Sequence, residues 1–383
     1  MTLAIEASHA NKAKRTGVEE YSWQIIQHLK KVVPSDVQVI LYSQTPLLPG
    51  LADLPANWQS RVLAWPQKMP RRLRKGWTQT RLSWEFFRHP PDIFFAPAQL
   101  VPMACPEKTV VTVHDSAFVV YPKLYGLASR TYLKWMNKLI VKKARAIITP
   151  SEFSKNELVK YYGADKNKIF VTPLGYDKDT YYPAFDNARQ GIPRLSASWR
   201  IARNDTRPIA KKYILSVGRL ENKKNTANIV RAFDIVRREC DCQLVLAGTP
   251  GVGYAEVEQA ILQSPYNKDI ILTGWVETED IAALMRSAEV FIFPSRYEGF
   301  GIPVLEAMAS GCPVIASRGN SLPQVGGEAA IYVSPDDIGE IAGAIIKILT
   351  DQNFKNQMTE NGLVQAQKFS WQKTAELTWQ ALR

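Results

Sequence analysis

Two glutamates, Glu298 and Glu306, flank a glycine-rich turn that follows a short apolar run. The run, Val290–Phe293, has the length and branching of a buried parallel strand, and Pro303 occupies a position typical of the start of a helix. Backbone N–H groups at the amino end of a helix bind phosphate, and a carboxylate beside a bound diphosphate is better placed to accept hydrogen bonds from sugar hydroxyls. This stretch therefore predicts a ligand that contains a sugar, a diphosphate and a nucleoside.

The predicted helix has defined ends. The glycines of the turn allow a sharp change of direction before it, and Gly311 is predicted to end it as a C-terminal cap. The backbone N–H groups from Gly301 to Leu305 would then point, unpaired, out of the helix. The spacing alone is equally compatible with an ordinary strand–helix crossover in which Glu298 is a surface residue and Glu306 is a capping residue.

The segment from Pro294 to Ile315 resembles the E-x7-E signature of the retaining glycosyltransferases of family 4. It matches the family phrase Pro-Ser-x-Tyr-Glu-Gly-Phe-Gly-Ile-Pro-x-Leu-Glu-Ala-Met-Ala-x-Gly-x-Pro-Val-Ile. The resemblance implies that Glu306 binds the ribose hydroxyls of a sugar nucleotide and that Glu298 contacts the transferred sugar, helped by nearby backbone N–H groups. In this segment it assigns to the sugar nucleotide Glu298, Gly299, Phe300, Gly301, Val304, Leu305 and Glu306.

A second group of candidate residues follows the strand predicted at Tyr213–Gly218. Arg219 and Lys224 lie five residues apart and can converge on one dianion, the arginine as a bidentate donor and the lysine as a point charge. They could equally be surface charges. The phrase Gly-Arg-Leu-x-x-x-Lys-Asn resembles the same family, which implies that both cations contact the donor diphosphate.

Two further candidates come from the N-terminal half. Gly17 lies before a helix predicted at Tyr21–Leu29, where a glycine lets the backbone approach a phosphate, although a plain loop is the simpler interpretation. His114 lies at the C-terminal end of a predicted strand, where a neutral histidine could donate a hydrogen bond to a sugar hydroxyl or pass a proton, or could be structural. In the family that the chain resembles, the equivalent glycine-rich loop faces the donor diphosphate, which implies the same for Gly17. The phrase Val-His-Asp-x-x-Phe-x-x-Tyr-Pro also resembles the family, which implies that His114 contacts the donor sugar near its 6-hydroxyl and the reacting centre.

Short apolar runs alternate with helical patterns along the chain, which predicts an α/β protein with parallel, doubly wound sheets. Two sets of six strands predict two Rossmann-like domains facing across a cleft, the GT-B architecture of the family that the chain resembles. We place an N-terminal acceptor domain at 1–185, a linker at 186–208, a sugar-nucleotide-binding domain at 209–367, and at 368–383 a terminal helix that the resemblance implies crosses back to the first domain. The predicted strands lie near Leu3–Ala7, Val37–Tyr42, Ile93–Ala96, Val110–His114, Ala146–Pro150, Ile169–Pro173, Tyr213–Gly218, Leu244–Gly248, Ile270–Gly274, Val290–Phe293, Pro313–Ala316 and Ala330–Val333.

The formal net charge of +12 and the isoelectric point near 9.4 predict an anionic partner: a sugar nucleotide, an acidic membrane surface or a nucleic acid. The charge is scattered, which disfavours nucleic acid. Two basic segments with interleaved aromatic residues, Arg71–Trp77 and Arg130–Arg145, could contact an anionic membrane surface or could be solvated faces. No apolar run reaches the ~18 residues of a membrane helix, no signal peptide is visible, and the four cysteines lack zinc spacing. We expect a cytoplasmic protein that can lie peripherally at the inner face of the plasma membrane.

The resemblance implies transfer of a hexose, with retention at the anomeric carbon, to a hydroxyl of a glycan or a lipid-linked acceptor. The His-Asp phrase and the Ser-Leu-Pro phrase at Ser321–Pro323 resemble bacterial mannosyltransferases, which implies GDP-mannose as donor; other hexoses and rhamnose stay open. No cofactor or metal is implied, and the sequence Asp177-Lys178-Asp179 lies at the predicted hinge without a third ligand in view. The alternatives are a non-catalytic module of the same fold that binds a sugar nucleotide or a partner and, third, a nucleic-acid-binding protein. The implied catalytic residues are His114, Glu298, Arg219 and Lys224.

Overall fold

The computed structural model describes residues 1–15, 17–64, 76–184 and 209–383. The chain forms two compact units, Met1–Gly175 with Ser370–Arg383 and Tyr176–Phe369. The predicted linker at 186–208 and the basic residues Arg71–Lys75 lie outside the described residues, so those two predictions stay as they are.

The first unit is built on a parallel sheet of seven strands. The order across the sheet, in chain numbering, is 3-2-1-4-5-6-7, so the direction of winding reverses at the first strand. Such a switch point places loops from both directions at the carboxyl ends of neighbouring strands, where ligands bind in open α/β sheets. The strands are β1 (Thr2–Glu6), β2 (Gln38–Ser43), β3 (Trp58–Val62), β4 (Ile93–Ala96), β5 (Thr109–Thr112), β6 (Ala146–Thr149) and β7 (Ile169–Val171).

Strand β3 is the one strand of this sheet that the sequence analysis missed, so the prediction of six strands here was wrong. Its sequence, Trp-Gln-Ser-Arg-Val, is largely polar, and only Trp58 is buried. It pairs with β2 alone, from Val39 opposite Trp58 to Ser43 opposite Val62. An edge strand needs little apolar surface, and therefore lacks the apolar run by which the buried strands were found.

The helices of the first unit include the C-terminal one, which packs against the helix after β1. Trp371 and Trp379 are buried on this terminal helix, as docking tryptophans are expected to be. The helix after β1 extends beyond the predicted Tyr21–Leu29 by three residues, nearly a turn, at each end. The helices are α1 (Val18–Val32), α2 (Ser83–Arg88, after a π-helical turn at Thr78–Leu82), α3 (Ala117–Val120), α4 (Leu127–Lys143), α5 (Glu152–Tyr162) and the terminal helix Trp371–Leu382.

The second unit contains a six-stranded parallel sheet, as predicted, with the order 10-9-8-11-12-13. Its switch point lies between the eighth and eleventh strands of the chain, which are hydrogen-bonded neighbours. The strands are β8 (Tyr213–Val217), β9 (Gln243–Ala247), β10 (Ile270–Gly274), β11 (Val290–Phe293), β12 (Val314–Ser317) and β13 (Ala330–Val333). The helices are α6 (Thr226–Glu239), α7 (Tyr254–Gln263), α8 (Thr278–Ser287), α9 (Ile302–Ala309), α10 (Leu322–Gly326), α11 (Ile338–Thr350) and α12 (Gln352–Ala366), which makes the terminal helix α13.

Residues 176–184 belong to the second unit, whereas the sequence analysis placed them in the first. Arg286 explains the difference, because its guanidinium donates to the carbonyl oxygen of Thr180 at 3.0 Å and lies 4.5 Å over the ring of Tyr182. Arg286 and Thr180 are 106 residues apart in the chain, and hydrophobic periodicity does not indicate a contact between a side chain and a loop at such a separation. Across the described ranges, no helix combines the length and apolar character needed to cross a membrane.

The join between residue 175 and the terminal helix is tightly packed. A methyl group at Gly175 would lie 2.1 Å from the backbone nitrogen of Trp371, so Gly175→Ala must displace the start of α13. We expect a loss of about 1–3 kcal/mol in the free energy of unfolding, the usual cost of overpacking. Gly343→Ala, in the interior of α11 with nothing near the added methyl, should instead stabilise by about 0.5–1 kcal/mol. Thermal unfolding of both variants checks this, and equal melting temperatures would contradict the packing described.

Candidate active site

The turn after β11 is held in place by hydroxyl groups from the next strand and loop. The Ser317 hydroxyl donates to the carbonyl oxygen of Ser295, and the Asn320 side-chain amide donates to the same oxygen at 3.0 Å. The Ser321 hydroxyl lies 2.7 Å from the carbonyl oxygen of Glu298 and 2.8 Å from that of Phe300. The backbone that carries Glu298 is therefore fixed at points on both sides of the side chain.

Glycine is required at the end of this turn. Gly301 has φ +113°, a conformation that residues with a side chain rarely adopt, and a methyl group there would lie 2.3 Å from the side chain of Leu322. Helix α9 starts directly after it with Pro303 in its first turn, as predicted. Gly311, with φ +76°, follows the last turn of α9, which confirms its predicted role as the residue that ends the helix.

The hydrogen bonding of the backbone amides at the start of α9 differs from the prediction. The N–H groups of Val304 and Leu305 both donate to the carbonyl oxygen of Gly301, at 3.0 and 3.5 Å. The Val304 bond spans three residues and tightens the first turn, whereas the Leu305 bond is the ordinary four-residue bond of an α-helix. These two amides are therefore not free to bind a phosphate as the sequence analysis expected. Pro303 has no N–H at all. The amides that find no carbonyl acceptor among the described residues are those of Phe300, Gly301 and Ile302.

Glu298 and Lys224, which the sequence analysis assigned to different parts of one ligand, form an ion pair. The Lys224 Nζ lies 2.5 Å from Glu298 Oε1, and the two side chains are 19% and 13% exposed. The Ser295 hydroxyl donates to the same carboxylate at 2.5 Å, and the Lys224 ammonium lies 4.6 Å from the ring centre of Phe293. Burial alone would raise the pKa of Glu298, but the charges of Lys224 and Lys223 and these hydrogen bonds lower it. Glu298 is therefore ionised and paired in the ligand-free protein.

Arg219 lies just beyond the end of β8, and its side chain is exposed. Gly218 before it has φ +139°, and a methyl group there would lie 3.5 Å from the Lys224 Cε, so the lysine side chain passes beside the turn that carries the arginine. In the described part of the chain Arg219 has no carboxylate partner in an ion pair. Glu306 is half-buried on α9. The switch point of the second sheet thus brings Arg219, Lys224 and Glu298 to the ends of β8 and β11.

A cavity of about 430 Å³ lies at the switch point of the first unit, and both predicted residues of that unit line it. Gly17 caps the start of α1 with φ +46° and has nothing within 4 Å of an added methyl group, so the backbone conformation is what requires glycine there. His114 follows β5. The other polar residues of the lining are His9, Glu19 and Gln99.

His114 is a neutral hydrogen-bond acceptor towards the cavity. Its Nε2 lies 3.1 Å from the carbonyl oxygen of Pro97, which can only accept, so Nε2 carries the proton and Nδ1 is left with its lone pair. Burial lowers the pKa of His114 to about 4, and the ring of Tyr21 packs against it at 4.6 Å in an edge-to-face arrangement. The sequence analysis left open whether His114 donates to a sugar hydroxyl, passes a proton or is structural; in this tautomer Nδ1 is a hydrogen-bond acceptor.

Asp177 stabilises a turn. Its carboxylate accepts from the Asp179 amide at 2.9 Å and from the Thr180 hydroxyl at 2.7 Å, which accounts for the Asp-x-Asp sequence without a ligand. Within the described ranges no three histidine, cysteine or acidic residues cluster as a metal site would require. The expectation that no metal takes part stays a prediction.

Sequence reasoning missed the supports of the site. Ser317 and Ser321 are small polar residues whose role depends on a loop more than twenty residues away, and no spacing rule identifies such a contact. Ser295, three residues before Glu298, is close in the chain but was not considered as its hydrogen-bond donor. It also missed the pair formed by Glu6 and His9 in the first unit. That pair has a local signal, an acidic residue at the end of the first strand with a histidine three residues on, which was not weighed.

The comparisons with known proteins agree with this geometry. The family profile described as Glycosyl transferases group 1 matches residues 198–365, and the profile described as Glycosyltransferase Family 4 matches residues 15–180. With the paired Rossmann-like sheets and the E-x7-E segment, these matches show that the chain belongs to the GT-B glycosyltransferases of family 4. The resemblance found in the sequence is thereby confirmed.

Individual relatives cover the whole chain. The O-antigen chain mannosyltransferase B of Escherichia coli is 27% identical over 397 residues, 99% of each protein. Sucrose-phosphate synthase of Thermosynechococcus elongatus superposes with a TM-score of 0.75 at 20% identity, over 99% of this chain and 97% of that one. HepE of Anabaena, solved in complex with UDP and glucose, gives a TM-score of 0.70 at 17% identity over 100% and 98%. These two structures confirm the fold.

The ion pair of Glu298 makes stability depend on pH in a defined direction. Because the pKa of Glu298 is lowered from 4.5, the pair stabilises the fold above pH 4.5 and this contribution is lost as the pH falls through the lowered pKa. Glu298→Gln should cost about 3–5 kcal/mol near pH 7, the usual cost of removing one partner of a buried ion pair, and the difference from the unaltered protein should shrink below pH 4.5. Denaturant unfolding from pH 3 to 8 measures it, with Glu360→Gln on the exposed surface as control. A difference that grows towards low pH would contradict the pairing.

Proposed function

We propose that the protein is a retaining hexosyltransferase that moves mannose from GDP-mannose to a hydroxyl group of a glycan or a lipid-linked acceptor. The observation that carries this proposal is the Lys224–Glu298 ion pair beside the exposed Arg219 and the amino end of α9. This arrangement offers two cations and three backbone amides to a diphosphate, and a carboxylate to the hydroxyl groups of a sugar.

The proposed roles follow from charge. Arg219 and Lys224 would take the negative charge that grows on the diphosphate as the bond to the sugar breaks, together with the amides of Phe300, Gly301 and Ile302. Glu298, which cannot bind phosphate without repulsion, would accept hydrogen bonds from the transferred sugar, and Glu306 from the ribose. We propose that these cations, rather than a metal ion, balance the charge of the diphosphate. His114 would accept a hydrogen bond from the donor sugar through Nδ1.

The choice of mannose is supported by the E. coli relative, whose name describes a mannosyltransferase and which matches this chain from end to end. The choice of GDP rests on the resemblance in the sequence and not on the solved structures, since HepE was solved with UDP and glucose. We propose GDP-mannose as the donor, with UDP-hexoses as the competing class. The donor panel described below separates the two.

We also propose contact with an anionic membrane surface through α4. Arg130, Lys134 and Lys138 are spaced four residues apart on this helix and so share one face, and Trp135 beside them is 41% exposed. Cations with an exposed tryptophan are the side chains expected where a helix lies on acidic lipid. A lipid-linked acceptor would make such a surface the natural place for the enzyme.

The donor prediction is tested by mixing the protein with GDP-mannose, GDP-fucose, UDP-glucose, UDP-galactose and dTDP-rhamnose and measuring sugar transfer to octyl α-D-mannoside. We expect transfer from GDP-mannose, with the α configuration of the donor kept in the product by NMR. Glu298→Gln should lower the transfer rate about 10²–10³-fold, as loss of one transition-state contact does, without weakening GDP binding. Glu289→Gln is the matched control, because Glu289 forms an ion pair of similar burial with Lys355 in the same unit.

Two outcomes would contradict this proposal. Inversion of the anomeric configuration would exclude a retaining reaction. Tight GDP-mannose binding with neither transfer nor hydrolysis from any donor would favour the non-catalytic module instead.

Membrane contact is tested with vesicles of phosphatidylcholine alone or with 30% phosphatidylglycerol. The double variant Lys134→Gln/Lys138→Gln should reduce binding to the anionic vesicles by roughly thirtyfold, since each cation contributes about 1 kcal/mol near acidic lipid. The control, Lys166→Gln/Lys168→Gln, removes two exposed lysines from the same unit. Equal binding of the two double variants would contradict a specific role for α4.

A further inference from the structure

The residue after Lys224 has an unusual backbone conformation. Asn225 has φ +61°, and within the ranges that the structure describes it is the one residue other than glycine with a positive φ. Asparagine is among the residues that tolerate this left-handed region best, but the conformation still costs free energy and persists only where surrounding contacts hold it. The residue is also buried, with 3% of its surface exposed. The contacts of its side chain therefore explain why the loop takes this path.

The side-chain amide of Asn225 joins three loops of the second unit. Its Nδ2 donates to the carbonyl oxygen of Pro335 at 2.5 Å, in the loop that follows β13. Its Oδ1 accepts from the Arg296 guanidinium at 3.0 Å, in the loop that follows β11. The Asn228 side chain, in the first turn of α6, donates to the same Pro335 oxygen at 3.2 Å. The loops after β8, β11 and β13 therefore meet at Asn225.

Capping of the next helix is the alternative role for Asn225. The residue occupies the N-cap position of α6, where asparagine commonly accepts a hydrogen bond from a backbone amide of the helix. The Asn225 side chain makes no such bond to α6, a helix that lies wholly within the described ranges. Its oxygen and nitrogen are used between loops instead, so the side chain serves the connection and not the start of the helix.

A backbone bond makes the same connection on the other side of Lys224. The N–H of Arg296 donates to the carbonyl oxygen of Lys223 at 2.9 Å. The chain is thus held at Lys223 and at Asn225, the two neighbours of Lys224. Because Arg296 lies two residues before Glu298, these contacts also fix the backbone of Glu298 relative to that of Lys224.

The Arg296 guanidinium has a second partner that orients it. It forms an ion pair with Asp336, and the two side chains are 31% and 69% exposed. A pair so open to water adds little to the free energy of unfolding. The guanidinium is planar, however, so a partner on one side fixes the direction in which the other side meets Asn225. The main effect of Arg296 is therefore on the geometry of the loops and not on stability.

We propose that Asn225 and Arg296 are positioning residues that hold Lys224 and Glu298 at the separation which a sugar nucleotide requires. The inference deepens the proposed function and rests on it, since Lys224 is there assigned to the diphosphate and Glu298 to the transferred sugar. A lysine side chain that is ordered before binding loses less conformational entropy when the ligand arrives. GDP-mannose, which contacts both residues, gains more from this order than GDP, which contacts Lys224 without Glu298.

The experiment measures the affinity of the full chain for GDP and for GDP-mannose by calorimetry. Arg296→Gln should weaken GDP-mannose binding by about 3–10-fold, the cost of ordering one long side chain on binding, and GDP binding by less. Asn225→Gly keeps the left-handed backbone but removes both side-chain bonds, so it should act in the same direction. In the double variant the loss should be smaller than the product of the two single losses, because the residues share one contact.

Arg237→Gln is the matched control. Arg237 also pairs with aspartates, Asp241 and Asp269, and it is more buried than Arg296, with 19% of its side chain exposed. Both aspartates precede strands, β9 and β10, and so lie at the edge of the sheet opposite the loops of the site. Arg237→Gln should lower the melting temperature at least as much as Arg296→Gln and leave both affinities unchanged.

The outcomes separate this inference from the proposed function. A lowered melting temperature in Arg296→Gln and Asn225→Gly, with both affinities as in the unaltered chain, would show a merely structural role and overturn the inference alone. If the unaltered chain binds neither GDP nor GDP-mannose, the proposed function fails and the positioning of its ligand falls with it.

Hydrogen exchange of the ligand-free chain tests the connection without any ligand. Faster amide exchange at both 219–225 and 295–301 in each of the two variants supports a connection between these loops. Exchange that changes only in the loop carrying the substitution overturns it.

Discussion

The account of the second unit depends on the ion pair between Lys224 and Glu298. Both side chains are largely removed from water, a position in which an unpaired charge costs several kcal/mol. The pair is tolerated because the Ser295 hydroxyl binds the carboxylate and the ring of Phe293 faces the ammonium. We propose that a diphosphate replaces the carboxylate as the partner of Lys224, and that sugar hydroxyls replace the ammonium as the partner of Glu298. On that proposal the ligand-free pair is a preformed site in which each charge substitutes for part of the ligand.

The parallel sheets explain why these residues meet. In each unit the winding of the sheet reverses at one place, and the residues of interest lie near it. Arg219 and Glu298 follow β8 and β11, the strands on either side of that place in the second unit. In the first unit Glu6 ends β1, and His114 follows β5, which is separated from β1 by β4. The two imidazoles around the cavity of the first unit have opposite pKa shifts: burial lowers the pKa of both, and only His9 has the carboxylate of Glu6, which raises it above its usual value.

Much of this could be predicted from the sequence, for identifiable reasons. Buried parallel strands are apolar runs of defined length, so all but the polar edge strand β3 were found. Gly301, Pro303 and Gly311 were placed correctly because backbone conformation restricts which residues can occupy such positions. The pairing of Glu298 with Lys224 could not be predicted, since the two residues lie on different connections of the sheet. Nor could the bond of the Val304 amide, because the sequence does not reveal whether a first turn tightens. The bond of the Leu305 amide, by contrast, follows from a helix that starts after Gly301.

The most direct test of the central claim is a double-mutant cycle on GDP affinity with Lys224→Met, Glu298→Gln and the double variant, measured by calorimetry. If Lys224 exchanges Glu298 for the diphosphate, Lys224→Met weakens GDP binding at least tenfold. Glu298→Gln then strengthens it severalfold by removing the competing partner, and the effect of Lys224→Met is larger in the Glu298→Gln background. GDP affinity that is the same in all four proteins would contradict the account.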